Sequence, residues 1–242
     1  MSFCFIVVLY KIKLMNIIKK KFLSIFENQV LKQGCVLEVR AWDPATFFEV
    51  DLHLPGVDME KWASVQHMKV KVSEYTYRDY TPALWDAETH TCTLCISSDH
   101  DGPGSKWVSS LKKGDTLSYI GIGSTFHKPV ADSKLLCLGD SSSIGHFLAL
   151  KQLALGTGEV YGAISFNVES HAREFSSYFD TYLQPIPEKK WDISLLSWLD
   201  QQELSNETIY IAGHIPTAMQ LRKHLRQRDD FNGNIKLQGF WH

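Results

Sequence analysis

Apolar and polar residues alternate in short runs between Cys35 and Ile122. Val36 to Arg40, Phe48 to Leu52 and Met68 to Val72 each place apolar side chains at every second position, the period of a half-buried antiparallel strand. Tyr77 to Leu84 and His90 to Ser97, joined by Trp85 to Thr89, add two more strands, and Asp115 to Ile122 follows the turn Lys112-Lys113-Gly114. Six strands over roughly 90 residues predict a small closed barrel, interrupted by one short helix near Ser105 to Leu111. After Pro129 the period changes. Lys134 to Leu138, Glu159 to Phe166 and Thr208 to Ile211 read as strands, each followed by a helical pattern at Ile144 to Leu153, His171 to Tyr178 and Pro216 to Arg226. Such alternation predicts a parallel sheet with crossover helices, closed by Asn234 to Gly239.

The expected organisation is therefore two-domain: an extension over 1–31, an antiparallel six-stranded β-barrel over 32–128, and an α/β parallel-sheet nucleotide-binding domain over 129–242. Ligands of open parallel sheets sit beyond the carboxyl ends of the strands, which places the expected site in the cleft between the domains. The apolar start, Ser2 to Tyr10, has no basic segment before it and no small-residue cleavage site after it, and it is too short to span a bilayer. Met15, followed by Asn16-Ile17-Ile18 and Lys19 to Lys21, reads as a more natural beginning, which makes residues 1–14 an over-extended start.

Charge and cysteine content then narrow the function. With 27 acidic and 25 basic residues, the chain has no global field that would draw it to nucleic acid or to an anionic membrane. Five cysteines, an odd number in a chain of 242 residues, do not form a disulfide framework, and reduced thiols in a cytoplasmic monomer are expected. Cys92 and Cys95 have C-x-x-C spacing but lie on a strand, where residues three apart point to opposite faces, so a shared metal or bridge is not expected.

Chemistry concentrates in three segments. In Arg78-Asp79-Tyr80-Thr81-Pro82 the arginine offers a fork for a diphosphate, the tyrosine a face for a flat ring, and the threonine a hydroxyl for a ring nitrogen. Strand alternation puts Arg78 and Tyr80 on one face and Thr81 on the other unless the strand bends at Pro82. Read alone, the segment is equally an exposed arginine beside a packed tyrosine. His100 to Trp107, containing Gly102, Pro103, Gly104, Ser105 and Lys106, leads into the short helix. Its glycines permit close approach of a phosphate to a helix N-terminus, with Ser105 as expected N-cap; a plain capped helix reads the same way. Gly139-Asp140-Ser141-Ser142-Ser143-Ile144-Gly145 stands between strand and helix, where a dinucleotide loop is expected, but is not G-x-G-x-x-G. G-x-S-x-G is also absent, so hydrolysis by a serine nucleophile is not expected. The helix after Pro216 carries Arg222, Lys223, His224 and Arg226 opposite Ala218, Leu221 and Leu225, a solvated basic face or a contact for a 2′-phosphate.

Taken in order, R-x-Y-T at Arg78 to Thr81, H-x-G-P-x-x-x-W at His100 to Trp107, Gly139-Asp140, Ile211-Ala212-Gly213 before a basic helix, and the closing Gly239-Phe240-Trp241 resemble the siderophore-interacting family of ferredoxin-reductase-like flavoproteins. The resemblance covers about residues 32 to 242. It implies an FAD-dependent ferric-siderophore reductase in iron acquisition, with electrons from NAD(P)H or a reduced ferredoxin and no catalytic protein side chain. Arg78, Asp79, Tyr80 and Thr81 would contact the flavin and its phosphate, and His100, Gly102, Pro103, Gly104, Ser105 and Trp107 would form the diphosphate segment. Asp140, Ser142 and Trp241 would line the second-domain side, and a basic rim of Lys106, His127 and Lys128 would face the anionic ferric chelate. Two departures stand out: many members carry a further helix beyond the closing strand, and their loop at 141–143 is more acidic or alanine-rich. A general ferredoxin- or flavodoxin-linked NAD(P)H reductase and a non-catalytic siderophore- or flavin-binding protein share the same architecture.

Overall fold

The computed structural model describes residues 30–242 apart from 132, 157, 189 and 190; the expectations for residues 1–29 lie outside it. The first sheet contains β1 (Lys32–Ala41), β2 (Phe47–His53), β3 (Gln66–Ser73), β4 (Thr76–Tyr80), β5 (Pro82–Asp86), β6 (Thr91–Ser97) and β7 (Thr116–Ser124), with α1 (Pro103–Ser110) between β6 and β7. Its order is β4-β3-β7-β1-β2-β6-β5, antiparallel throughout. The two edge strands β4 and β5 are one run of chain interrupted only at Thr81. Val70 and Met68 of β3 face Arg78 and Tyr80. One residue further on, Pro82 and Ala83 face Leu94 and Thr93 of β6. Six lengths of strand thus close into a barrel, with its last corner at Thr81. Pro82 has no N–H to donate, so the run changes partner there at little cost.

The second sheet contains β8 (Ser133–Asp140), β9 (Gly158–Phe166), β10 (Tyr182–Pro187), β11 (Thr208–His214) and β12 (Asn234–Trp241), in the order β10-β9-β8-β11-β12 and parallel throughout. The helices are α2 (Ile144–Leu153), α3 (Glu169–Tyr178), α4 (Trp191–Leu199) and α5 (Ile215–Leu225). β10 and α4 are additions to the sequence reading. Pro185 and Pro187 weaken the strand signal of β10, and they are tolerated because β10 is an edge strand that pairs only with β9.

Both faces of this sheet are covered, and β8 shows why its sequence is continuously apolar. Leu135 and Cys137 enter a core with Phe147, Leu150, Phe166 and Phe175, whereas Leu136 and Leu138 enter one with Leu195, Leu199, Leu221 and Leu225. The first of these cores also takes Trp42, Phe47, Val65, Ala83 and Cys95 from the barrel, so the domains share a buried apolar seam. The barrel interior proper is a separate cluster around Val50, Leu52, Met68, Val70, Leu94 and Tyr119. Cys92 lies in the barrel interior and Cys95 in the seam, the opposite faces that strand alternation requires. Among the described residues, no helix is long and apolar enough to cross a membrane.

Candidate functional site

Strand order in the second sheet reverses between β8 and β11, and the crevice beyond their carboxyl ends faces the barrel corner at Thr81. A cavity of about 610 Å³ fills this cleft. Arg78, Asp79, Tyr80 and Thr81 all line it, as do His100, Gly104 and Ser105 from the barrel side and Asp140, Ser142 and Trp241 from the other. Alternation holds within β4, where Arg78 and Tyr80 lie opposite Val70 and Met68 and Asp79 lies opposite Lys69 on the other face; the break between β4 and β5 adds Thr81 to the cleft. A larger cavity, about 810 Å³, opens on the far side of the seam between Trp42, Trp85, Leu148 and Tyr178, and none of the expected site residues lines it.

At the corner, the Tyr80 ring stacks on Trp107 with centroids 5.7 Å apart and planes inclined by 21°. Burial pushes the Tyr80 hydroxyl up to about 12, against the opposing pull of Arg78, so it is a protonated donor at neutral pH. Arg78 is exposed and spends one N–H on the Tyr77 carbonyl at 2.8 Å, leaving the rest of its fork available. The carboxylate of Asp79 is held by Lys69 at 2.9 Å.

Helix α1 begins with Gly102 as N-cap and Pro103 in the first turn, so Ser105 is two residues inside the helix and is not its cap. Its hydroxyl lies 3.2 Å from Nδ1 of His100 instead. The first helical acceptor used is the Gly102 carbonyl, which receives the Lys106 N–H at 3.0 Å. The N–H groups of Gly104 and Ser105 precede that bond and have no acceptor within the helix, which leaves them for an anion in the cleft. At Gly104 a Cβ would stand 2.6 Å from the Tyr80 hydroxyl oxygen, so glycine is required for the helix to reach the corner.

On the second-domain side, Asp140 organises the loop. It is 3% exposed; one carboxylate oxygen accepts the N–H of Ser142 at 2.8 Å and its hydroxyl, and the other accepts the N–H of His214 at 2.6 Å. Burial raises its pKa, and these donors oppose the rise. The Trp241 indole donates to the Ser142 hydroxyl at 3.2 Å and lies against the His214 ring, with centroids 4.3 Å apart. Asp140 thus joins the ends of β8 and β11, and Ser142 carries that order to the end of β12.

Three expected site residues are placed otherwise. His127 is 2% exposed, with its ring packed against His146, and is not part of a basic rim. Lys106 is exposed but paired with Asp101 at 2.9 Å. Lys128 is exposed, and neither lysine lines the cavity. Gly102, Pro103 and Trp107 support the cleft from behind without lining it. Sequence reading missed Gly145, whose Cβ would stand 3.3 Å from the Thr81 carbonyl oxygen and 3.5 Å from Cβ of Cys95. It also missed Asn167, just past the carboxyl end of β9, and Phe240 beside Trp241. A polar residue immediately after a parallel strand was the available signal for Asn167; Gly145 stood at the end of the expected dinucleotide loop without being singled out.

No family model and no curated protein matches the sequence. Solved structures match the fold. A siderophore-interacting protein from Acinetobacter baumannii superposes with a TM-score of 0.69 at 16% identity, covering 87% of this chain and 90% of that one. A ferredoxin reductase of carbazole 1,9a-dioxygenase gives 0.65 at 18% identity, over 85% of this chain and 69% of the other. The flavohemoglobin of Malassezia yamatoensis, with bound FAD and heme, gives 0.65 at 14% identity, over 87% of this chain and 60% of that one. With a closed antiparallel barrel joined to a five-stranded parallel sheet, the chain has the ferredoxin-reductase-like fold.

Proposed function

We propose that the chain is an FAD-dependent oxidoreductase that passes electrons from NAD(P)H or a reduced ferredoxin to a ferric siderophore and releases iron(II). The observation that carries this reading is the convergence on one cleft of the Arg78 fork, the Tyr80 and Thr81 hydroxyls and the free first-turn N–H groups of α1. The residues present fit the cofactor: the Gly104 position, which a Cβ would block, leaves backbone amides and a guanidinium facing the same space.

Arg78 and the amides of Gly104 and Ser105 would hold the diphosphate, and Tyr80 and Thr81 the sugar and ring end. When bound, a flavin supplies exchange between a two-electron donor and a one-electron acceptor. The chain's own work is orientation and exclusion of water. Asp140 keeps the β8–α2 loop closed on the cleft, and Phe240 and Trp241 present aromatic surface on its second-domain side. Iron(II) is held more weakly than iron(III) by hard oxygen donors, so reduction of the chelate favours release of the metal. The siderophore part of the reading is supported by the sequence marks and by the fold shared with the Acinetobacter protein.

The test is an anaerobic titration of FAD-reconstituted protein. NADH, NADPH and reduced ferredoxin are each offered, bleaching is followed, and ferric siderophores and protein acceptors are then compared as oxidants. Rapid reoxidation by a ferric siderophore is expected. A yellow protein that no donor bleaches would leave the non-catalytic binding reading. Preference for a protein acceptor would favour the ferredoxin- or flavodoxin-linked reductase, and failure to take up FAD would remove all of these.

A further inference from the structure

Two buried histidines unused by the proposed reaction stand at the joint between the domains. His127 belongs to the connection between β7 and β8. Its carbonyl accepts the Val65 N–H at 2.7 Å, tying its backbone to the barrel. Its ring enters the second domain, where Nδ1 lies 2.7 Å from Nε2 of His146 on α2 and the ring stands edge-on to Tyr210 at 5.4 Å. The two residues are 2% and 1% exposed. Of the outer nitrogens, His146 Nδ1 has no hydrogen-bond partner among the described residues, and His127 Nε2 has none at ordinary geometry beyond the approach of the Leu237 backbone.

Two neutral imidazoles make this bond with one N–H donating and one bare nitrogen accepting. The surroundings do not welcome a charge. From β12, the Lys236 ammonium donates to the Lys128 carbonyl at 3.1 Å and lies 5.0 Å from the centre of the Tyr210 ring. From β11, the Tyr210 hydroxyl donates to the same carbonyl at 2.6 Å. Phe147 and Phe240 pack on His146, and of the groups acting on His127 only the Leu237 backbone favours its charged form. None of the groups that act on either ring is a carboxylate. One added proton is therefore a charge without a counter-charge, and a second sets N–H against N–H. Burial, reinforced by Lys236, lowers His127 to about 4, and burial beside His127 holds His146 well below the ordinary histidine range.

Helix α2 crosses the seam from one side to the other. Its first turn, at Gly145 and His146, meets the barrel on the cleft side. Near its end, Gln152 exchanges two hydrogen bonds with the Trp85 backbone, at 3.1 and 2.6 Å, on the far side. The far side is held by this neutral amide pair, by the apolar contacts of Trp42 and Phe47, and by α3, whose Glu174 carboxylate accepts the Asp43 N–H at 2.9 Å. The His171 ring of α3 also reaches the barrel there, with Nε2 2.9 Å from the Pro44 carbonyl, but a carbonyl accepts from an imidazole N–H whether or not the ring carries a second proton, unlike the second imidazole that His127 meets.

We propose that the His127–His146 pair is an acid-released clasp: neutral, it holds the second domain to the barrel on the cleft side, and protonated, it lets that side open about the Trp85–Gln152 contact. The sign follows from linkage. Both rings bind protons more readily once released, so the clasp is complete above about pH 6.5 and is lost as pH falls toward about 4.

Amide hydrogen exchange on the full chain, corrected for intrinsic rate and followed from about pH 7.5 to about 4.5, tests this together with urea unfolding at each pH. Peptides covering 125–131, 144–150 and 235–241 are expected to lose protection before those of the barrel interior. The unfolding constant should rise by up to about 100-fold per pH unit where two protons are taken up. In the double variant His127→Gln and His146→Gln that acid dependence should flatten. An unchanged acid dependence in the variant, or uniform loss of protection in both domains, would overturn the proposal. If the variant does not fold, imidazole NMR on the unaltered chain decides: rings that titrate near pH 6.5 with protection intact refute the clasp, and rings that stay neutral while the seam is packed support it.

Discussion

The carboxylate of Asp140 accepts the backbone N–H of His214 at 2.6 Å, joining the end of β8 to the end of β11 where the strand order reverses. The approach is so close that a Cβ on Gly213, whose φ is +111°, would stand 2.2 Å from the Asp140 carboxylate. Asp140→Ala strands the partly buried N–H groups of Ser142 and His214, and a loss of about 1–3 kcal/mol is expected. Asp140→Asn keeps the shape and one acceptor and should lose less. Urea-unfolding midpoints of the two variants check the order; equal losses would argue against the capping role.

Gly104 and Tyr80 should behave as a coupled pair. Gly104→Ala drives a methyl into the Tyr80 hydroxyl oxygen at 2.6 Å, whereas the ring carbon behind that oxygen is 3.9 Å away. The single change is expected to cost about 1–3 kcal/mol, and adding Tyr80→Phe should recover part of it. A thermal-melt double-mutant cycle measures the coupling, and strict additivity would refute it.

At Gly145 the seam tolerates no side chain of ordinary size. Its Cβ would already sit 3.3 Å from the Thr81 carbonyl oxygen, so Gly145→Val must push the first turn of α2 off the barrel corner. A stability loss of about 1–3 kcal/mol is expected together with weaker FAD binding, since Thr81 lines the same cleft. Calorimetry and a flavin-fluorescence titration on one preparation test the link between the two effects.

Arg78→Ala should weaken FAD binding about 10- to 100-fold, the value of losing charge-assisted bonds to a diphosphate. Arg78→Lys should restore only part, because a lysine cannot form the planar fork. Equal affinity in all three proteins would move the diphosphate away from Arg78.

Thiol reactivity should follow burial. Cys35 is half-buried, whereas Cys92, Cys95 and Cys137 are buried, and burial pushes all three of those thiols up, Cys92 to about 12. Alkylation of the native protein, mapped by mass spectrometry, should therefore modify Cys35 first among these four. Early labelling of Cys95 would show that the seam opens readily.

Period-two alternation from Val36 to Ile122 and the strand–helix repeat after Pro129 determined the two architectures, because burial of one face imposes those periods locally. That Arg78 to Thr81, Gly104 and Ser105, and Asp140 with Ser142 line one cleft was also legible, since glycines, a helix start and a strand end mark its walls. Tertiary structure decided the rest. Thr81 closes the barrel only because β3 and β6 take the two halves of one run, which is a pairing between distant segments. His127 followed a strand, carried a basic neighbour and read as a rim residue, but its ring turns inward to His146, 19 residues away. Gly145 sits in the first turn of α2, just after the serine-rich loop, and counts only because another domain's carbonyl lies against it. Local sequence specifies what each segment can bury, whereas contacts between domains depend on which buried faces finally meet.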